Sequence, residues 1–296
     1  MPLFRRGDGD YVEKVPAYRR IMPFIMPTRT ESAVYFEQKI DATNGVAYIA
    51  RWNERHPDQK ITFLHLMMYG AIQSLHERPR LNRFTMGGHL YQRRGIWVSY
   101  SAKKAFNDDS PIVVVKQKFD PSMTFAQMVA EMYGSLKEGR SDKKSHVDKE
   151  LDLFLKAPAP VLRAGVSILR WLDSWNLLPH GFIEPDPMYS SLFIANLGSV
   201  KLDSAYHHLY EYGTIPLFGV LGRLQDAVVP GPDGTVRVRP QISVKWSYDE
   251  RVDDGLYAAQ SLELVRRRME DPQQWCGPIE PALGAGAVVE AAAAAG

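Results

Sequence analysis

Four carboxylates fall within six residues toward the C-terminal end of the chain, Asp249, Glu250, Asp253 and Asp254, with Arg251 set among them and Gly255 closing the run. A carboxylate here can accept a proton, contact a ligand or cap a helix, and its surroundings decide which. Ordinary glutamate titrates near 4.3, too low for a strong base, but burial and like-charged neighbours raise a carboxyl by up to several units. An adjacent arginine does the reverse, so Arg251 is expected to hold Glu250 ionised if the two pair. Glu250 therefore stays open between a structural or ligand-contacting carboxylate and a general base. Asp254 precedes an amphipathic run and reads as a helix N-cap.

A second concentration of chemistry lies at Tyr206-His207-His208-Leu209-Tyr210-Glu211. Two imidazoles with a carboxylate three or four residues on could shuttle a proton or hold a metal. Adjacent histidines seldom converge on one ion without a third ligand, so a structured loop of hydrogen-bonded histidines is favoured and no metal is assigned. Cys276 is the sole cysteine. It excludes an intrachain disulfide and a multi-cysteine zinc site, and it reads as an unremarkable thiol in a reducing compartment. The sequence shows no phosphate-cradling glycine loop, nucleophile elbow or dinucleotide fingerprint.

The elements that must position these groups are legible in part. Alternation over 33–41 predicts a strand, and 41–44 offers side-chain oxygens to cap a following helix. A nearly buried helix is predicted over 62–77, and Gly87-Gly88 reads as a tight hairpin turn. Strands are expected at 96–102, 111–119, 192–196 and 217–221, a helix at 124–137, and a hairpin of 227–229 with 236–246 turned at 230–234. The terminal helix runs over 256–271, where Asp271-Pro272 ends it. Strands and helices without regular alternation argue for an α+β fold.

The chain has 296 residues, 45% hydrophobic and 24% charged, with 36 basic and 34 acidic side chains. That is the composition of an ordinary globular domain, and so even a balance implies no nucleic-acid partner. No apolar run is long enough to cross a bilayer and no signal peptide is evident, so a cytoplasmic location is expected. Residues 1–16 are expected to form an extended arm, 17–272 the main domain and 273–296 a low-complexity tail.

The run Ser247-Tyr248-Asp249-Glu250-Arg251-Val252-Asp253-Asp254-Gly255 resembles the active-site motif Asp-His-Arg-Val-x-Asp-Gly of the acyltransferase component of 2-oxo acid dehydrogenase complexes. Four further segments are similar to that family in the same order: 19–32, 61–82 with its Pro79-Arg80-Leu81-Asn82 turn, 192–198, Leu-Phe-Ile-Ala-Asn-Leu-Gly, and 215–222. The resemblance implies the two-layer fold of chloramphenicol acetyltransferase with a mixed sheet. It also implies a homotrimer, able to assemble further, whose site lies between subunits and whose N-terminal arm packs on a neighbour. Coenzyme A would be a substrate and acyl-coenzyme A a partner.

Position by position, the resemblance puts Glu250 where the family has its catalytic histidine and Ala195 where it has the serine that stabilises the oxyanion. Asp254 would orient the loop by pairing with Arg19 or Arg20. Asn196 would remain from the Asn-Leu-Gly turn, while Ser191, His207 and Arg20 become candidate substrate contacts and His208 a relocated base. Ser190, Ser191 and Ser199 are the available hydroxyls. Strand alternation puts Ser191 on the face of Ala195, but about 13 Å away, so it is a poor replacement. No lipoyl-bearing domain is seen in the chain. Residues 141–189 form a helical insertion, expected to pack on its own domain, to act as a lid or partner helix, or to lie on a membrane surface. The expected function is a divergent coenzyme A-dependent acyltransferase with altered or weak thioester transfer. A noncatalytic trimeric scaffold and carboxylate chemistry on another substrate stand as alternatives.

Overall fold

The computed structural model describes residues 2–103, 112–139, 156–231 and 233–279. In chain order its strands and helices are β1 (Gly9–Tyr11), α1 (Ala17–Ile25), β2 (Ala33–Asp41), α2 (Thr43–Arg55), α3 (Phe63–Glu77), β3 (Arg83–Met86), β4 (His89–Arg93), β5 (Ile96–Lys103), β6 (Ile112–Phe119), α4 (Phe125–Gly139), α5 (Ala159–Ser174), α6 (His180–Ile183), β7 (Leu192–Asn196), β8 (Leu217–Pro230), β9 (Val236–Asp249), α7 (Gly255–Glu270) and α8 (Pro272–Trp275). The tail beyond 279 and residues 141–155 of the predicted insertion lie outside the described residues.

The main sheet has the order β2-β9-β8-β7-β5-β6. Pairs β5/β7 and β7/β8 are parallel and the others antiparallel, so the fold is α+β with a mixed sheet. Period-two alternation explains how the sheet serves two clusters. Ile242, Val244, Trp246 and Tyr248 of β9 face α2, α3, α4 and α7 in the principal core, as do Leu192 and Ile194 of β7. Phe193 and Ala195 of β7 point the other way, into a smaller cluster with Phe218, Val220 and Leu209. Trp246 is fully buried; its truncation to alanine would cost about 3–5 kcal/mol.

The second sheet, β1-β4-β3, corrects one expectation. The N-terminal arm packs on its own chain, with Gly9–Tyr11 paired against Tyr91, Gln92 and Arg93. Gly87 and Gly88 turn the β3/β4 hairpin at φ 56° and 75°, a left-handed pair that glycine adopts without steric cost. A Cβ on Gly87 would also lie 2.0 Å from the Ser174 carbonyl, so the end of α5 sits directly on this turn.

A second correction concerns β8. The separate strands expected at 217–221 and 227–229 are one strand, interrupted in register between Leu221 and Leu224. That irregularity coincides with Gly222, where an added Cβ would meet the Ser204 backbone nitrogen at 2.6 Å. Beyond it the β8–β9 hairpin projects outward, with Val228 72% and Val238 66% exposed.

Candidate active site

The loop from Asp249 to Asp254 joins β9 to α7 and is pinned from beneath by arginines. Asp249 is fully buried. Its carboxylate accepts two hydrogen bonds from Arg251, Nε to Oδ1 and Nη2 to Oδ2, each 2.8 Å, and Arg29 Nη1 approaches at 3.5 Å. Arg251 Nη1 donates onward to the carbonyls of Met26 and Pro27, and Arg29 Nη2 to those of Gly213 and Thr85. Such charge-assisted bonds are the strong class, and removing one partner strands a buried charge. The expected Arg251–Glu250 pair does not form, because Asp249 offers Arg251 a bidentate partner two residues away.

Glu250 is fixed by its backbone alone. Its N–H donates to the Ser32 carbonyl at 3.0 Å and its carbonyl accepts from Arg19 Nη1 at 2.8 Å. The half-buried carboxylate has no hydrogen bond or ion pair to any described residue. The expected repulsion from neighbouring aspartates is neutralised: Asp249 is paired, and Asp253 Oδ1 accepts from the Asp254 N–H while Oδ2 lies 3.1 Å from Arg80 Nε.

Asp254 does not pair with Arg19 or Arg20. It is the N-cap of α7, its Oδ1 accepting from the Tyr257 N–H at 2.8 Å, and that bond holds its carboxyl below the usual carboxylate range. Arg19 is spent on the Glu250 carbonyl, and Arg20 points outward. A cap satisfies an N–H that the first helical turn leaves open, which fixes where the loop ends.

The other candidates spread over the far face of the sheet. Ser191 is fully buried, its hydroxyl accepting from the Trp97 N–H at 3.0 Å while its own N–H donates to the Trp97 carbonyl. It extends the β5/β7 ladder, with one lone pair of its hydroxyl taken by the Trp97 N–H. Asn196 folds its side chain onto the Ser199 N–H and opens a short 3-10 turn over Leu197–Val200. Ser190 and Ser199 donate to nearby carbonyls. Ala195 sits in the apolar cluster with Phe193 and Phe218.

His207 lies flat on Phe218, ring centroids 4.0 Å apart, and stacks with His208 on its other side. Burial pushes its pKa down. Its carbonyl accepts a short hydrogen bond from the Ser247 hydroxyl, so the histidine segment crosses β9 just before the loop, whereas His208 faces solvent. No group of three metal-ligating side chains is present among the described residues.

Two clefts flank the loop and share Arg251. The larger, about 420 Å³, has Arg29, Thr85 and Arg251 in its wall with Phe24 and Trp171 at its sides. The smaller, about 200 Å³, is bordered by Arg19, Arg20 and Leu90. Sequence reasoning missed Arg29, and it grouped Glu211 with the histidines rather than with the segment it binds. The Glu211 carboxylate accepts from the backbone N–H groups of Arg29 and Thr30, a contact that no spacing announces.

No family model matches the chain, and no curated protein matches it in sequence. Solved structures do match in fold. The dihydrolipoamide acetyltransferase of Azotobacter vinelandii aligns with a TM-score of 0.59 at 16% identity, covering 89% of this chain and 93% of that one. A truncated catalytic core of the 2-oxoacid dehydrogenase multienzyme complex from Thermoplasma acidophilum aligns at 0.55 and 15% identity, covering 89% and 99%. A chloramphenicol acetyltransferase aligns at 0.50 and 9% identity, covering 89% and 98%. With each alignment spanning nearly the whole of both chains, the protein has the fold of the dihydrolipoamide acetyltransferase cores and of chloramphenicol acetyltransferase.

Proposed function

We propose that the protein is a divergent coenzyme A-dependent acyltransferase, related in kind to the acyltransferase component of 2-oxo acid dehydrogenase complexes, with Glu250 as proton acceptor. One observation carries this reading: the backbone of Glu250 is held on both sides while its carboxylate is left unpartnered. A structural carboxylate beside Arg19, Arg29, Arg80 and Arg251 would be expected to find one. In the Azotobacter vinelandii enzyme a serine, a histidine and an asparagine were investigated for catalytic roles, the last two four positions apart. Glu250 and Asp254 have that spacing.

The reaction would be thioester exchange. Glu250 takes the proton of an incoming thiol, the freed sulfur attacks the acyl carbonyl carbon, and the departing thiolate recovers the proton from Glu250. Against a thiol near 8.5, an unperturbed glutamate is a weaker base than histidine by about two units, roughly 3 kcal/mol. Ala195 offers no donor to the tetrahedral oxyanion, where one hydrogen bond commonly contributes about 10²–10³ in rate. Slow transfer is the expectation. Asp254 fixes the loop end, Asn196 shapes the neighbouring turn, and His207 with His208 borders the approach.

The assembly we propose is a homotrimer with the site completed between subunits, as in the family the motif resembles. The β8–β9 hairpin, with Val228, Val236 and Val238 exposed, supplies apolar surface for a neighbour. A noncatalytic scaffold is the second reading, favoured by the fact that Glu250 lines neither cleft beside its loop.

Calorimetry with acetyl-coenzyme A and a thiol-transfer assay separate the two. Acyl transfer predicts measurable binding, a rate lowered about tenfold or more in Glu250→Gln, and a rate raised in Glu250→His. Absence of binding together with no gain in Glu250→His would establish the scaffold instead.

A further inference from the structure

Helix α5 is attached to the domain along one narrow side. Leu169 and Leu172 pack against Leu178, Ile183 and Tyr189, and Asp173 is the only residue of the helix that is buried. The side next to it presents Val161, Ala164, Ile168, Trp171 and Trp175 at alternating steps of three and four, which places them on one stripe. Ile168 is 56% exposed and Trp171 58%.

Helix α1 is turned the same way. Its Arg19 is buried, while Tyr18, Ile21, Phe24 and Ile25 face outward. Phe24 and Trp171 stand on the same cleft, so the two apolar surfaces adjoin. Singly exposed apolar residues need no explanation, but a patch spanning two helices does.

Charge identifies what would cover it. The Lys, Arg, Asp and Glu residues between 156 and 183 are Lys156, Arg163, Arg170 and Asp173, and Asp173 is buried against Arg6. Residues 17–30 contain arginines and no carboxylate. Arg20, Arg163 and Arg170 form no ion pair among the described residues. A second copy laid on this stripe would bring the unpaired arginines of both chains together, while Glu211 at the cleft is already engaged by the Arg29 and Thr30 N–H groups. A layer of anionic headgroups meets both features: indole rings rest at interfacial depth, and long arginine side chains reach phosphate from the edge of the helix.

We propose that α5, together with the outward side of α1, docks the protein on an anionic phospholipid surface, with α5 lying in the interface plane. The proposal does not depend on the acyl-transfer reading.

Vesicle co-sedimentation of the full chain tests it, with phosphatidylcholine alone against phosphatidylcholine containing phosphatidylglycerol. Binding should be about tenfold or more tighter on the anionic vesicles, with tryptophan emission shifted to the blue. Ile168→Glu and Trp171→Glu, both at exposed positions, should each weaken it about tenfold at unchanged melting temperature. Arg163→Gln with Arg170→Gln should reduce the preference for phosphatidylglycerol. If the glutamate variants misfold, Trp171→Phe with Trp175→Phe decides, since the vesicle-induced emission shift must then shrink. No partition onto anionic vesicles, or partition that survives Ile168→Glu, overturns the proposal. So does a Trp171→Glu variant that sediments as a smaller assembly while neither protein binds vesicles, which would make the stripe an interface between copies.

Discussion

Two buried ion clusters hold this molecule together, and they differ in how many carboxylates their arginines share. Beneath the 249–254 loop, Asp249 is paired with Arg251, two residues away, and approached by Arg29. At the other, Arg6 joins Asp8, two residues away, to Asp173, 167 residues away, and Arg93 approaches Asp8 at 3.6 Å. The first cluster ties that loop to Met26, Pro27 and Arg29, more than 200 residues earlier. The second stitches the N-terminal arm, β4 and α5, three segments with no sequence relation. Its cations also divide, because burial pushes Arg93 down to about 10 while Asp8 and Asp173, outweighing burial, raise Arg6. A single carboxylate shared by two arginines makes the loop cluster brittle, whereas two carboxylates shared among arginines make the other more tolerant of loss.

The largest effect that would test this contrast is Asp249→Ala. It leaves Arg251 and Arg29 buried without a counter-charge, and we expect a loss of about 3–5 kcal/mol in denaturant unfolding. A loss no greater than that of Asp173→Ala would remove the distinction between the clusters.

Next comes a buried group with no counter-charge at all. His65 is completely enclosed on α3 and burial pushes its pKa down to about 4. Its neutral form is the folded one, so the stability it supports is full above the unfolded value near 6.5 and is lost as pH falls toward 4, by roughly 3 kcal/mol. Asp8 follows in a lower window. Burial alone would raise its pKa, but Arg6 and Arg93 hold it below the usual range, so its contribution is lost only as pH falls below about 4. Unfolding followed against pH should thus show two acid steps, with His65→Gln removing the upper and Asp8→Asn the lower.

Asp173→Ala should cost less, about 2 kcal/mol, because Arg6 keeps Asp8 while Tyr189 loses its acceptor. The loss should be local. Limited proteolysis or hydrogen exchange should report opening of the arm and α5 before the sheet. Smallest of all is Arg223→Ala, which breaks an exposed pair with Asp203 and should shift stability by no more than about 0.5 kcal/mol. A larger shift would mean that the β8 irregularity depends on that pair.

Much of the fold was legible because its signals are local. Alternation in β9, the amphipathic run of α7, the Gly87-Gly88 turn and the Asp254 cap each depend on residues within one element. The loop motif was legible for the same reason. Continuity of β8 was not, since Gly222 and its neighbours break the alternation that marks a strand, and the strand is continued by pairing with β9. Counting along the strand did not show that the Ser191 hydroxyl accepts from Trp97, a residue 94 positions away.

By itself, the sequence determined an α+β domain, the loop that ends in the cap of α7, and Glu250 and Ala195 at the positions where the motifs they resemble carry histidine and serine. Tertiary structure alone decided that Arg251 answers Asp249 and leaves Glu250 free, that Arg19 holds a carbonyl, that the arm returns to its own sheet, and that α5 turns its tryptophans outward. The physical reason is common to all four. Hydrogen-bond patterns within an element repeat along the chain, but which charge a buried arginine meets depends on what folding brings near it, and burial makes that choice costly to change.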